Sequence, residues 1–249
     1  MTDENQGQDN SADSGAGSRT ASGADSGPPA SGAGSVIRVV LADDEEMIRH
    51  GVRLILRHAD GIEVVGEAPN GTEAVRLTTE HRPDVVLLDI RMPVLDGLAA
   101  VEQLVTLAPA PQVLMLTTFG DEENVTRALR AGATGFLLKD EGPQELIRAV
   151  RAAAAGDAVL SPGVTGTVIR RMLSGGGAVA PDSRVAGLTD REREVLVMLG
   201  EGLSNPQIGG RLGIGVGTVK THVRSILEKT GCSGRVQAAL LAHQAGLMG

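Results

Sequence analysis

The chain has 249 residues, enough for roughly one or two domains with a sizeable core, and its 23 Lys+Arg against 31 Asp+Glu leave a net charge of −8. Two phenylalanines with no tryptophan and no tyrosine argue against a protein that stacks nucleobases on aromatic platforms. A single cysteine, Cys232, excludes an internal disulfide framework and any cysteine-cluster zinc site. No apolar run approaches the ~18 residues of a membrane span, and the N-terminus has no charged-then-apolar leader pattern, so a soluble, cytoplasmic protein of a reducing compartment is expected.

Residues 1–35 hold seven Gly, seven Ser and no Leu, Ile, Val or Phe. Nothing there offsets the entropy of ordering, which predicts a disordered tail. From Val36 the pattern changes. Five short β-rich apolar runs at 37–42, 62–67, 84–89, 112–116 and 134–138 alternate with helical stretches at 45–58, 70–80, 96–107, 121–131 and 142–155. That alternation predicts a parallel sheet covered on both faces, a doubly wound α/β domain over 36–157 with flavodoxin-like strand order 2-1-3-4-5. Helix stops are legible at Gly61, Pro83, Pro109, Gly132 and Gly156.

Residues 158–187 read as a linker. A short helix is possible at 158–174 (Val164, Val168, Ile169, Met172), and 174–187 is Gly-rich. From Leu188 to Gly249 every apolar period is helical, which predicts a small all-α module of four helices. The charge divides with the domains: 36–157 carries −8, and 188–249 carries +2. A mildly basic tail suits an anionic partner, although so small an excess is equally a solvated helix face.

Two constellations carry chemistry. The first expected strand runs into Asp43–Asp44 and the third ends in Asp89, and strands one and three are neighbours in the expected order. Three carboxylates then converge on the crevice at the carboxyl ends of the strands. At ~4 Å and an effective dielectric near 20, each like-charge pair costs about 4 kcal/mol, so the cluster calls for a cation. Oxygen ligands without His or Cys point to Mg²⁺. Thr117 and Lys139, at the ends of strands four and five, add a hydroxyl and an ammonium, completing the equipment for phosphoryl transfer to a carboxylate. A single Asp at a strand end is usually a cap; five such residues in register are not explained that way.

In the tail, Thr189 and Glu192 have capping-box spacing, Asn205 and Pro206 suit a helix start, and a tight glycine turn leads into a third helix near 217–230. On that helix Val219, Val223, Ile226 and Leu227 share one face, while Gly217, Lys220, Thr221 and Arg224 fall on the other. This is a helix-turn-helix layout whose outer face fits a major groove, with Thr218 and His222 placed to reach phosphates.

Residues 36–157 resemble the receiver domain of bacterial two-component response regulators, through VLADDEEMIR, VVLLDIRMPVLDG, VLMLTTF and AGATGFLLKD. The resemblance implies that Asp89 accepts a phosphoryl group from a sensor histidine kinase. It further implies that Asp44, Asp89 and the backbone carbonyl of Arg91 hold Mg²⁺, with Asp43 acting through water. Thr117 and Lys139 would serve as phosphate partners, with Thr117 and Phe136 as switch residues. The segment LTDREREVL…GLSNPQIGGRLGIGVGTVKTHVRSILEKTG resembles the LuxR-type helix-turn-helix of NarL/FixJ-class regulators. By that resemblance Lys220, Thr221 and Arg224 contact bases and Thr218 and His222 contact the backbone of double-stranded DNA. The last helix (235–246, with Val236, Ala239, Leu240 and Ala242) forms a homodimer contact.

Together these imply a transcriptional regulator rather than an enzyme, its receiver assisting only its own aspartyl phosphorylation and dephosphorylation. The rival is an atypical receiver that binds DNA under control of a ligand or partner without phosphorylation. A phosphatase with an aspartyl nucleophile is disfavoured, because Arg91 stands where such enzymes carry a second Asp.

Overall fold

The computed structural model describes residues 36–118, 122–161 and 181–248. The tail at 1–35, Phe119 and the possible helix around Val164–Met172 lie outside the described residues. The receiver half runs β1 (Ile37–Ala42), α1 (Glu46–Arg57), β2 (Ile62–Ala68), α2 (Gly71–His81), β3 (Val85–Asp89), α3 (Gly97–Leu104), β4 (Gln112–Thr117), α4 (Glu122–Ala131), β5 (Gly135–Leu138), α5 (Pro143–Ala155) and β6 (Val159–Leu160). The DNA-binding half runs α6 (Pro181–Val185), α7 (Asp190–Gly200), α8 (Asn205–Leu212), α9 (Val216–Thr230) and α10 (Arg235–Gln244).

The sheet is parallel throughout, in the order β2-β1-β3-β4-β5-β6. Alternate residues of the strands feed two apolar clusters. Val40, Val86, Leu88, Val113, Met115 and Phe136 face one way; Val39, Leu41, Val85, Leu87, Leu114, Leu116 and Leu137 face the other. A strand buried on both faces reads as a near-continuous apolar run: β3 is buried throughout, with Val85–Leu88 apolar and Asp89 at its carboxyl end.

The sheet has six strands where five were expected. The sixth is only two residues long, too short to leave a period in the sequence, and pairs Val159 and Leu160 with Gly135 and Phe136. The expected linker at 158–187 is therefore entered at both ends. Its last residues pack on the helical half: Val185 is 3% exposed in that core, and the Arg184 guanidinium donates to the Thr230 carbonyl at 2.8 and 2.9 Å. The third receiver helix stops at Leu104 rather than 107, because Thr106 and Leu107 close tighter turns onto Gln103 and Leu104 before Pro109.

The helical half has one core, built from Val195, Leu196, Leu199, Ile208, Val219, Ile226 and Leu241. Thr189 and Ser204 each close a capping box, with Glu192 and Gln207 respectively. Asn205, expected to cap, is instead the first helical residue, and its side chain is free for other work. Gly209 has a reason to lack a side chain: a Cβ there would lie 2.7 Å from the Ile214 carbonyl across the turn. Among the described residues no helix is long and apolar enough to cross a membrane.

Candidate functional site: an acidic crevice and a recognition helix

β1 and β3 are adjacent, so their carboxyl ends bring Asp43, Asp44 and Asp89 together, with one carboxylate oxygen of each lying within 4.8 Å of the others. Asp43 is fully buried, Asp89 is 5% exposed and Asp44 faces solvent. Asp43 is held by its own loop, accepting from the Glu45 backbone N–H at 3.0 Å, while its carbonyl accepts from Arg49 at 2.6 Å. Gly97 lets α3 start against the end of β3: its N–H donates to the Ile90 carbonyl, and a Cβ there would meet the Asp89 carbonyl oxygen at 2.0 Å.

The Lys139 ammonium reaches in from the end of β5, 2.6 Å from Asp43 and 3.3 Å from Asp89. Its backbone N–H donates to the Thr117 carbonyl at 2.7 Å, which fixes the ends of β4 and β5 side by side. Thr117 is buried there. Burial pushes the Asp89 pKa up to about 6, Lys139 works against this, and the Asp43 charge adds to it. Burial also opposes the Lys139 ammonium, but its hydrogen bond to Asp43 and the nearby carboxylates hold its pKa above the ordinary lysine value.

Among the described residues, the Lys139 ammonium is the cation that pairs with Asp43 and Asp89, set against a cluster of three carboxylates. The donor set is oxygen only, as a hard divalent cation requires. Arg91 lines a cleft of about 540 Å³ with Asp44, Asp96, Asn124 and Arg127. Phe136 is completely buried among the apolar residues on the α2–α4 side of the sheet.

On α9, Thr218, Lys220, Thr221 and Arg224 are exposed and His222 is half-buried, while Val219 and Ile226 face the core. The pitch of this helix is tied to α7. Glu192, 5% exposed, accepts from Lys229 at 2.7 and 2.8 Å and from Ser225 at 2.6 Å. Those bonds hold its carboxyl down to about 2. Cys232 is buried just beyond the helix, its sulfur 3.3 Å from Arg184.

Sequence reasoning missed the seam between the two halves. Lys220 donates to the Ala154 carbonyl at 2.8 Å. The Asn205 side chain donates to the Ala155 carbonyl at 2.8 Å, and its backbone N–H to the Asp157 carboxylate at 2.9 Å. Arg235 donates to the Gly156 carbonyl at 3.0 Å, to the Asn205 side chain at 2.7 Å and to the Leu203 carbonyl. Burial pulls the Arg235 pKa below the ordinary arginine value. Gln237 donates to the carbonyls of Leu129 and Arg130 at the end of α4. Glycine signals mark the seam: a Cβ on Gly132 would lie 2.5 Å from the Ser233 carbonyl, and one on Gly156 would lie 2.5 Å from the Asn205 amide. Of the expected dimer residues, Val236 packs into the receiver cluster and Ala242 is buried in the helical core, whereas Ala239 and Leu240 are half-buried.

Comparisons with known proteins agree with this architecture. Residues 39–151 match the response regulator receiver domain, and residues 186–242 match the luxR family of bacterial regulatory proteins. The chain is 41% identical over 209 residues to the transcriptional regulatory protein LiaR of Bacillus subtilis, covering 84% of this chain and 98% of LiaR. It is 38% identical over 206 residues to the nitrate/nitrite response regulator protein NarL of Escherichia coli, covering 83% and 94%. A crystal structure of a LuxR-family two-component response regulator from Aurantimonas sp. superposes with a TM-score of 0.53 at 31% identity, covering 56% of this chain and 99% of that one. A buried acid cluster at the strand ends, a helix-turn-helix behind it and these two family matches lead to one conclusion: the chain belongs to the NarL/FixJ class of two-component response regulators, a transcriptional regulator with a receiver and a LuxR-type DNA-binding domain.

Proposed function

We propose that Asp89 accepts a phosphoryl group from a phosphohistidine of a sensor kinase, and that this controls DNA binding by the helical half. An Asp89 carboxylate oxygen attacks phosphorus, the P–N bond breaks, and its electron pair leaves with the imidazole nitrogen. Asp43, Asp44, Asp89 and the Arg91 backbone carbonyl are the groups that would hold Mg²⁺; when bound, the ion neutralises charge on the transferring phosphoryl oxygens. Lys139 supplies a fixed positive charge beside the acceptor, and Thr117 a hydroxyl at the end of the adjacent strand. No turnover of other substrates is expected.

The single observation that carries this reading is the convergence of three carboxylates and Lys139 on one crevice at the strand ends. Transmission is supported by the seam. Gln237 of α10 holds the end of α4, and the face that contains α4 is the next element in the chain after β4, which ends in Thr117. New charge on Asp89 that draws Thr117 and Lys139 inward biases that face, loosens α10 and frees α9 for a major groove. Ala239 and Leu240 then offer part of a homodimer contact, with Val236 joining once it leaves the receiver. A dimer sets two recognition helices about 34 Å apart on double-stranded DNA. The test is Asp89→Asn. Wild type is expected to take up phosphate from a small phosphodonor and to bind promoter DNA more tightly as a result. The variant is expected to take up none and to bind without dependence on the donor. A wild type that takes up no phosphate sinks the proposal.

A further inference from the structure

α9 begins differently from the two helices before it. The starts of α7 and α8 are closed by the polar side chains of Thr189 and Ser204. The start of α9 is Gly215, Val216, Gly217, with no side-chain cap. A Cβ on Gly215 or Gly217 would meet nothing within 4 Å among the described residues. Packing within the chain therefore does not exclude a side chain at either position, although glycine weakens a helix interior by ~1 kcal/mol relative to alanine. The isopropyl group of Val216 is left as the only side chain of this turn before Thr218. It is 38% exposed, and of the large apolar side chains exposed among the described residues it is the one in the DNA-binding half. At ~100° per residue it borders the outer face of α9, about 40° from Lys220 and roughly 6 Å nearer the amino end. Val219, by contrast, is fully buried in the helical core.

We propose that Val216 is a specificity-determining residue that reads thymine through its C5-methyl group. In a helix-turn-helix, the first residues of the recognition helix are the ones that reach base edges. The side chains at 215–217 offer no donor, no acceptor and no charge, so they cannot pair with a polar edge. In the major groove guanine, adenine and cytosine present donors and acceptors, and thymine adds a methyl group. An isopropyl group against that methyl buries apolar surface on both partners. Against the amino group of cytosine or adenine it would strip water from a donor and give nothing back. The flanking glycines leave the approach unobstructed. Lys220, one turn further on, suits the O6 and N7 of guanine, so the two side chains read different bases by different chemistry. This inference rests on the DNA-binding domain and not on phosphorylation of Asp89.

The full chain first selects its preferred duplex from a pool randomised over about 20 base pairs, roughly two helical turns. Selection is run with and without a small phosphodonor, and the tighter-binding state is carried forward. Each thymine of the selected site is then replaced by deoxyuridine, which pairs identically and lacks the methyl, in both half-sites at once. Fluorescence anisotropy compares wild type, Val216→Ala and Val216→Ile on every duplex. One thymine per half-site is expected at which loss of the methyl weakens wild-type binding about 3–10-fold. Val216→Ala is expected to bind the thymine duplex more weakly by a similar factor and to ignore the change to uracil at that position. Val216→Ile is expected to keep the wild-type response. Alanine is the better helix former, so a weakened α9 does not explain the loss. Wild-type indifference to every uracil overturns the proposal. So does a Val216→Ala chain that loses as much as wild type at every thymine, since another side chain, such as Thr221, then reads the methyl. A selection that yields no common sequence, or none with thymine in the half-sites, overturns it as well. Failure of phosphoryl uptake at Asp89 touches none of these outcomes and counts only against the phosphorylation reading.

Discussion

The crevice at Asp89 and the seam at Arg235 are both clusters of buried charge, and they are built on opposite plans. In the crevice, one ammonium faces three carboxylates, and burial raises the pKa of Asp89 to about 6. In the seam, Asn205, Lys220 and Arg235 each donate to acceptors at 2.7–3.0 Å or closer. An under-neutralised cluster is primed to take up a cation and an electrophile. A satisfied cluster is a joint, held until its acceptors are withdrawn. Buried ionic groups rarely add net stability over apolar packing, so both are better read as devices than as glue.

The sharpest way to break this contrast is to remove the ammonium that pairs with Asp43 and Asp89. Lys139→Ala is expected to slow phosphoryl uptake roughly 100-fold, as deletion of a fixed electrostatic partner commonly does, and to push the Asp89 pKa above about 6. Rapid-quench phosphorylation and carboxyl-carbon NMR titration without divalent ions read the two effects. An unmoved Asp89 pKa would mean that the ammonium does not face it in solution.

The joint is tested next by Gly132→Ala. Its φ of +108 is uncomfortable for an L side chain, and its Cβ would strike the Ser233 carbonyl. About 2–4 kcal/mol of destabilisation is expected, with faster hydrogen exchange at 233–237 in the joined chain. Protection at wild-type level would show that the two halves do not meet there.

Within the DNA-binding half, Glu192 supplies a third pattern: a carboxylate whose partners all favour ionisation. Glu192→Gln is expected to cost roughly 2–3 kcal/mol. Its folded pKa of about 2 lies below the ordinary value near 4.5, so its contribution is fully present above about pH 4.5 and drains away as pH falls toward 2. Melts of wild type and variant should therefore converge in acid; a constant gap would rule out the ionised network. The smallest effect belongs to the exposed pairs of Arg76 with Glu73 and Glu80. Arg76→Ala should change stability by about 0.5 kcal/mol or less, vanishing at high salt.

The sheet was legible because the middles of β1, β3 and β4 (Val39–Leu41, Val85–Leu88 and Val113–Leu116) are unbroken apolar runs, as strands covered on both faces require, and the acid cluster was legible because residues at strand ends share an edge. The two-residue β6 left no period to read. Asn205 misled because Ser204 and Asn205 are both good caps, and only the fold shows that Ser204 takes the role and leaves Asn205 to the receiver. Gly132 and Gly156 announced helix ends correctly. That each also admits a neighbour from the other half is tertiary information, as is the burial of Arg235, which in sequence is simply the first residue of a helix.

The account turns on Asp89 as the place where a phosphoryl group lands. Intact-mass measurement of the full chain with a small phosphodonor, with and without Mg²⁺, tests that directly when followed by peptide mapping. One phosphoryl group per chain, mapped to Asp89 and absent when the ion is chelated, is the predicted result. No adduct, or an adduct mapped elsewhere or formed equally without the ion, would contradict it.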